Sequence, residues 1–455
     1  MTVIGDTSGS LASKMSPSFK MVSKYFISSI AFFLALNILL VLNYDKIHGH
    51  YFQPLLLALV HITTLGWITM IIFGAMFQLV PVVLEVKLFS EALGEIQFWI
   101  YLIGVIGLVT AFWSFDTGLY MTISAILLVT AMLIFIFNIS ASMIKVKKWN
   151  ITGVYLIAAL FYLLSTAAAG ILMAVNLGYP FIQGDHLQYL KLHVDVAFIG
   201  WVLIVIMGVS YKLIPMFSLS HGYSQKSSIW AFTLINIGLL GITTVMHYNN
   251  TPFIYYGFVI LIAIGILFFL HQIYLILKNR LRKKFDIGMK HTVIAFSFLF
   301  LDTLLGLYLV IKNFEDPAIE LNLILLYGFT ALIGFISILT VGQLYKILPF
   351  LVWYHKFSSK VGKEPVPLLR EMFNEQLAKT ELYLLVTGFI GSAAGITLDI
   401  EILRLISFII MLMGTIIFIY NMYSIYNAKG KTGMAVRSPS ADINKLKDSN
   451  GLFNN

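Results

Sequence analysis

Long apolar runs alternate along this chain with short polar breaks, and the apolar runs are too long to be strands. A helix that crosses a bilayer needs about 20 mostly apolar residues. Twelve runs meet that length, near 23–43, 52–81, 95–114, 118–144, 151–176, 187–217, 229–247, 253–277, 290–312, 321–350, 380–398 and 400–427. The pattern predicts an all-α polytopic membrane protein with twelve transmembrane helices. Residues 1–20 are polar and Ser-rich and lack a small-residue cleavage site, so the first run reads as a retained span. The stretches 1–20 and 431–455 are expected to be disordered and cytoplasmic, flanking one membrane domain over 21–430. The longest break, 351–379, reads either as a short interfacial helix or as a plain connector along the membrane, the second being the simpler.

Self-similarity adds an architecture to the count. The second run carries Leu65-Gly66-Trp67, then Gly74, Phe77 and Pro81. The sixth carries Ile199-Gly200-Trp201, then Gly208, Tyr211 and Pro215. The tenth carries Ile333-Gly334-Phe335, then Gly342, Tyr345 and Pro349. Pro81, Pro215 and Pro349 are 134 residues apart, with glycines 15 and 7 residues before each. These in-phase copies predict three pseudo-repeated four-helix units, near 21–150, 151–288 and 289–427. The glycines leave either close helix contact or room for a flat ligand, and each proline should mark the cytoplasmic end of its helix.

Composition sharpens the class. Hydrophobic residues make up 59% of the 455 and charged residues 11%, against about 25% charged in soluble domains. Mean hydropathy is +0.89. A soluble enzyme is excluded, as is a disordered chain. The absence of cysteine excludes disulfides, thiolate metal sites and cysteine-attached haem. The net charge of +9 would fit a nucleic-acid partner, but its placement gives it another cause. With the N-terminus inside, all of the 30 Lys and Arg residues except Lys46, Lys191, Lys312 and Arg404 fall on the cytoplasmic side. That is the positive-inside bias of a multi-pass protein in a cell (inner) membrane with both termini cytoplasmic. Lipid is the expected partner, and nucleic acid is not.

Ionisable groups inside a bilayer are costly and mark functional positions. His61 and His193 lie in the outer halves of the second and sixth spans, and His186 shares a helix face with His193. His247 ends the seventh span, and His48 and His50 occupy the first outer loop. Six of the ten histidines thus gather toward the outer side. Imidazole ligates haem iron, copper and zinc, although a lone intramembrane histidine can equally hydrogen-bond a neighbouring helix. Asp195 and Asp302 are candidates for a proton path. Lys212 and Lys346, three residues before their prolines, should snorkel to the cytoplasmic surface. His271 and His291 lie near the inner surface and are not expected to be ligands. Gly391 and Gly395 form a weak packing motif.

The twelve spans in three arcs, with the Gly-Trp, Gly, Tyr and Pro pattern, resemble subunit I of the haem–copper oxidase superfamily, in its cbb-type oxidase and nitric-oxide reductase branch. There the tenth helix reads His-x-His ahead of Leu-Gly-Trp. His61 matches the second histidine of that pair and His193 the first. The resemblance implies haem b as cofactor, with His61 and His193 as cofactor-binding residues and His61, His193 and His247 as metal candidates. It also implies a cytochrome or quinol electron donor and further membrane subunits. The chain departs from the family on the tenth helix, where Tyr327 and Phe329 replace both haem ligands. No His-His pair exists for copper.

Three functions follow. The first is a membrane haem protein in respiratory electron transfer or nitric-oxide or oxygen handling, without a complete haem–copper centre. The second is a divergent but active terminal oxidase or nitric-oxide reductase subunit, an oxidoreductase. The third is a metal-free transporter or channel.

Overall fold

The computed structural model describes residues 17–247, 252–312 and 316–430. It is all-helical, and twelve helices are long and apolar enough to cross a membrane. They are α1 (Phe19–Leu42), α2 (Pro54–Leu84), α3 (Glu91–Ser114), α4 (Leu119–Met143), α5 (Ile151–Gly178) and α6 (His186–Ser218). They continue with α7 (Lys226–Met246), α8 (Phe253–Lys278), α9 (Ile287–Ile311), α10 (Pro317–Lys360), α11 (Glu375–Thr397) and α12 (Glu401–Tyr426). The expected segments 1–16 and 431–455 lie outside the described residues, and α1 already includes Phe19 and Lys20.

Helix starts follow local chemistry. Ser90, Asn150, Asp286 and Asn374 each accept a backbone N–H of the first turn of α3, α5, α9 and α11, as side-chain caps do. Pro54 and Pro317 open α2 and α10 at a position where no amide hydrogen is needed. Ile103, Ile126, Phe137, Ile260 and Ile409 remain exposed on the outer surfaces of their helices, the surface that lipid would cover.

Contacts recur along the chain. The hairpins α3–α4, α7–α8 and α11–α12 pack most extensively. The pairs α1–α2, α5–α6 and α9–α10 pack next to them, and α4 meets α5, α8 meets α9 and α12 meets α1. The three glycine-bearing helices meet inside this ring. Trp201 Nε1 donates to Thr69 Oγ1 at 3.3 Å, and Trp67 Nε1 donates to Ser337 Oγ at 3.1 Å.

The recurring glycines serve close helix contact. A Cβ at Gly74, Gly208 or Gly342 would stand 2.8 Å from Tyr25 Cβ, 2.6 Å from Tyr155 Cβ or 2.3 Å from His291 Cβ. At Gly66, Gly200 and Gly334 it would strike the rings of Phe32, Tyr162 and Phe389 at 2.6–2.7 Å. Of the two roles expected for these glycines, packing is the one realised, because aromatic side chains already fill the space beside them. Gly391 and Gly395 do the same for α11 against Ser407 and Arg404.

Two expectations at the helix ends are corrected. Pro81 and Pro215 lie in the last turn, and the helices stop when Glu85 and Leu219 take left-handed backbone, φ 55° and 54°. Pro349 ends nothing: α10 continues past it, because Leu351 and Val352 are buried and hold the next turn in place. Lys346 does not snorkel. It pairs with Asp286 and lies 4.7 Å over the Phe217 ring, whereas Lys212 is exposed. The 361–374 connector holds one turn of 3-10 helix, Leu369–Glu371. It is pinned by Trp353 Nε1 donating to Pro367 O at 2.7 Å and by Phe373 against Tyr345.

Candidate functional site

Each of α2, α6 and α10 changes from α to π winding for eight residues, at Ile62–Thr69, Val196–Leu203 and Thr330–Ser337. Each π segment starts one residue after a ligand-type position: His61, Asp195 and Phe329. A π turn adds a residue to the ladder, re-aims the side chains before it and frees carbonyl groups. In α2, Thr63 and Thr64 hydroxyls donate to Leu59 O and Val60 O at 2.7 and 2.8 Å, and Tyr101 donates to Leu65 O at 3.1 Å. In α10, Ser337 Oγ donates to Leu332 O at 2.7 Å. These hydroxyls add hydrogen bonds to carbonyls in and beside the π segments.

His61 is held on two sides. Its Nδ1 lies 2.7 Å from Leu57 O, and its ring stacks on Phe112 with centroids 4.5 Å apart. A nitrogen that donates to a backbone carbonyl carries the hydrogen, so the lone pair is on Nε2. That is the tautomer of metal-ligating histidines. His193 packs its ring over Gly170, where a Cβ would stand 3.2 Å from Cε1. Its buried Nδ1 has no hydrogen-bond partner, and it lies within electrostatic reach of His61. The two histidines singled out in the sequence, from α2 and α6, thus lie within electrostatic reach of each other.

His186 packs edge-on against Phe52 with ring centroids 5.4 Å apart, and its buried Nε2 is also unpartnered. His50 stacks on Tyr51 and accepts the Phe52 amide. Tyr51 stands near Asp185 and Glu320, so the α1–α2 loop and the N-terminal ends of α6 and α10 share one mouth. Partial burial, then those two carboxylates, push the Tyr51 phenol up from its ordinary value. The side chain of His247 lies outside the described residues.

A second group gathers around Tyr327. Its ring packs on Gly306, and its hydroxyl lies within electrostatic reach of Asp302, Asp195 and Tyr255. Asp302 is 2% exposed, and its Oδ1 has no partner. The proton-path candidates from α6 and α9 thus flank one tyrosine, at the position where the resemblance led to a histidine. The outer segments His186–Asp195 and Pro317–Phe329 contain no buried residue, and a Cβ at Gly328 would meet nothing within 4 Å. Space is open beside the π segments on this side, in contrast to the filled glycine contacts deeper in.

The donor set can now be tested against the expected groups. His61, with its Nε2 lone pair free, and His193 are the imidazoles that would hold a haem. Among the described residues no three His, Cys, Asp or Glu side chains are placed to hold a metal ion.

Reading the sequence passed over one inner cluster. His291 and Glu381 are both 0% exposed and face each other across α9 and α11. At the opposite end of the α11–α12 hairpin, Arg404, also 0% exposed, donates to Tyr44 O and Gly395 O and pairs with Asp399 at 2.6 Å. Glu381 stood at the edge of an apolar run, where a carboxylate reads as a surface charge.

The chain matches the family described as cytochrome c and quinol oxidase polypeptide I over residues 20–448. No curated protein matches it. Among solved structures, a chain from a cryo-electron microscopy structure of a haem–copper terminal oxidase dimer is similar in fold. It has 12% identity and a TM-score of 0.66, over 98% of this chain and 90% of that one.

Proposed function

The chain belongs to the cytochrome c and quinol oxidase polypeptide I family, and on that premise we propose that it is a membrane haem protein without a complete haem–copper centre. Its role would be respiratory electron transfer or the handling of nitric oxide or oxygen. One observation carries this reading: His61 is fixed by Leu57 O and Phe112 with its Nε2 lone pair left free, and a second imidazole, His193, whose Nδ1 is buried without a partner, lies within its electrostatic reach. Haem, when bound, supplies a one-electron iron centre whose potential depends on axial ligands and burial. His61 would hold that iron, and Phe112 would keep the His61 ring from turning. His193 would help to hold or orient the group.

The missing copper set argues against oxygen or nitric-oxide reduction by the family's usual route. Tyr327, with Asp302 and Asp195 on either side, would hold protons where a second metal would otherwise sit. The same reading takes the twelve spans as three four-helix units with both termini on the cytoplasmic face. It includes a cytochrome or quinol as electron donor and further membrane subunits as partners.

The test is an absorption spectrum of the purified chain, expressed with haem supplied, before and after dithionite. A Soret band that sharpens on reduction and is lost in His61→Ala is expected. A protein without a chromophore would refute the proposal and favour a metal-free transporter.

A further inference from the structure

We propose that His291, Glu381 and Tyr345 form a buried proton-holding site that exchanges with the face carrying the basic run 278–290. It is separate from the histidine pair and does not rest on haem binding.

His291 is the fifth residue of α9 and Glu381 the seventh of α11. At about 1.5 Å per residue, both sit roughly two turns or less from their helix ends. His291 Nε2 stands 3.4 Å from each carboxyl oxygen of Glu381; Oε1 is its hydrogen-bond partner and Oε2 has none. The Tyr345 hydroxyl from α10 stands beside the same carboxyl. Asn421 Nδ2 from α12 donates to Tyr345 Oη at 3.1 Å, which leaves the tyrosine hydrogen free to point at Glu381.

The proton count follows from the tautomer. His291 Nδ1 is 2.9 Å from Ile287 O, so Nδ1 carries a hydrogen and donates it, and Nε2 faces Glu381. An ionised carboxylate here would be an expensive buried charge, and a contact of 3.4 Å is too long to repay two charges. The pair therefore rests neutral, with one proton on the carboxyl and none on Nε2. Moving that proton breaks the Glu381 O–H bond and forms the His291 Nε2–H bond, giving carboxylate and imidazolium. A second proton, taken from water on the basic face, restores the carboxylic acid beside imidazolium, and its release returns the resting state.

The neighbouring elements leave this site few other charges. Phe269 of α8 packs on α9 and Phe373 of the 361–374 connector packs on Tyr345. Phe33 and Trp67, from α1 and α2, pack on Phe418, which meets Tyr345. The nearest ion pair, Lys346 with Asp286, lies one turn closer to the basic face. Lys379 is taken up by Glu375 on the surface. A purely structural cross-link between four helices would use amide groups equally well; a carboxyl beside an imidazole can also take up and release a proton.

Infrared difference spectroscopy on the purified full chain tests this. The expected result is a protonated-carboxyl band at pH 7 that is absent in Glu381→Gln and retained in Asp302→Asn. It should move in His291→Gln and shift within minutes of transfer to D2O. If Glu381→Gln fails to fold, Tyr345→Phe keeps the ring and should move the same band. The proposal is overturned if the protonated-carboxyl bands are unchanged in Glu381→Gln. It is equally overturned if the band ignores His291→Gln and Tyr345→Phe, or if it resists D2O for hours.

Discussion

At the scale of single residues, the glycines divide into two kinds that the sequence does not distinguish. Gly74 lies against Tyr25, with 2.8 Å left for a Cβ, whereas Gly328 faces open space. Overpacking a filled contact costs about 1–3 kcal/mol. Gly74→Ala should therefore lower the melting temperature of the purified protein clearly, and Gly328→Ala should leave it within error. Equal losses would remove the distinction drawn here between filled inner contacts and an open outer side. Histidine positions were legible because imidazole is rare in such apolar runs, and His61 and His193 lie within electrostatic reach of each other. Glu381 was not legible. Its partner His291 is 90 residues away, and periodicity carries no information about which face of one span meets which face of another.

At the scale of elements, spans were readable nearly to their ends, since twenty apolar residues leave little choice of structure. The π segments were not readable. Ile62–Thr69 has the same apolar content as an α turn, and only its fitted neighbours select the wider winding. Pro349 misled for a related reason: a proline stops a helix unless burial holds the following turn, and Leu351 and Val352 are buried. The π turn has a testable consequence. Deleting Thr64 should close the segment to α winding and remove the re-aiming of His61 that the wider turn supplies. The Soret band of haem-loaded protein should then fall several-fold while far-ultraviolet circular dichroism keeps its helical signal. An unchanged Soret band would show that the π turn does not place His61.

At the scale of the whole molecule, the 134-residue recurrence in sequence is matched by recurring π segments, hairpin contacts and a Trp-to-hydroxyl link made twice. In the third position Phe335 stands where the other helices have tryptophan, and it has no N–H to donate. The same drift is visible at the candidate site. At the 134-residue spacing, the position of His61 becomes Asp195 and Phe329, and that of His193 becomes Leu59 and Tyr327. The frame of the family persists while its ligands are thinned, so the fold was legible from composition and repeat but the cofactor content was not. One purified sample of the full chain, assayed for haem by its pyridine haemochrome and for copper by mass spectrometry, tests the central claim most directly. The account predicts haem in a stoichiometric amount and no copper; stoichiometric copper beside the haem, or no haem at all, would contradict it.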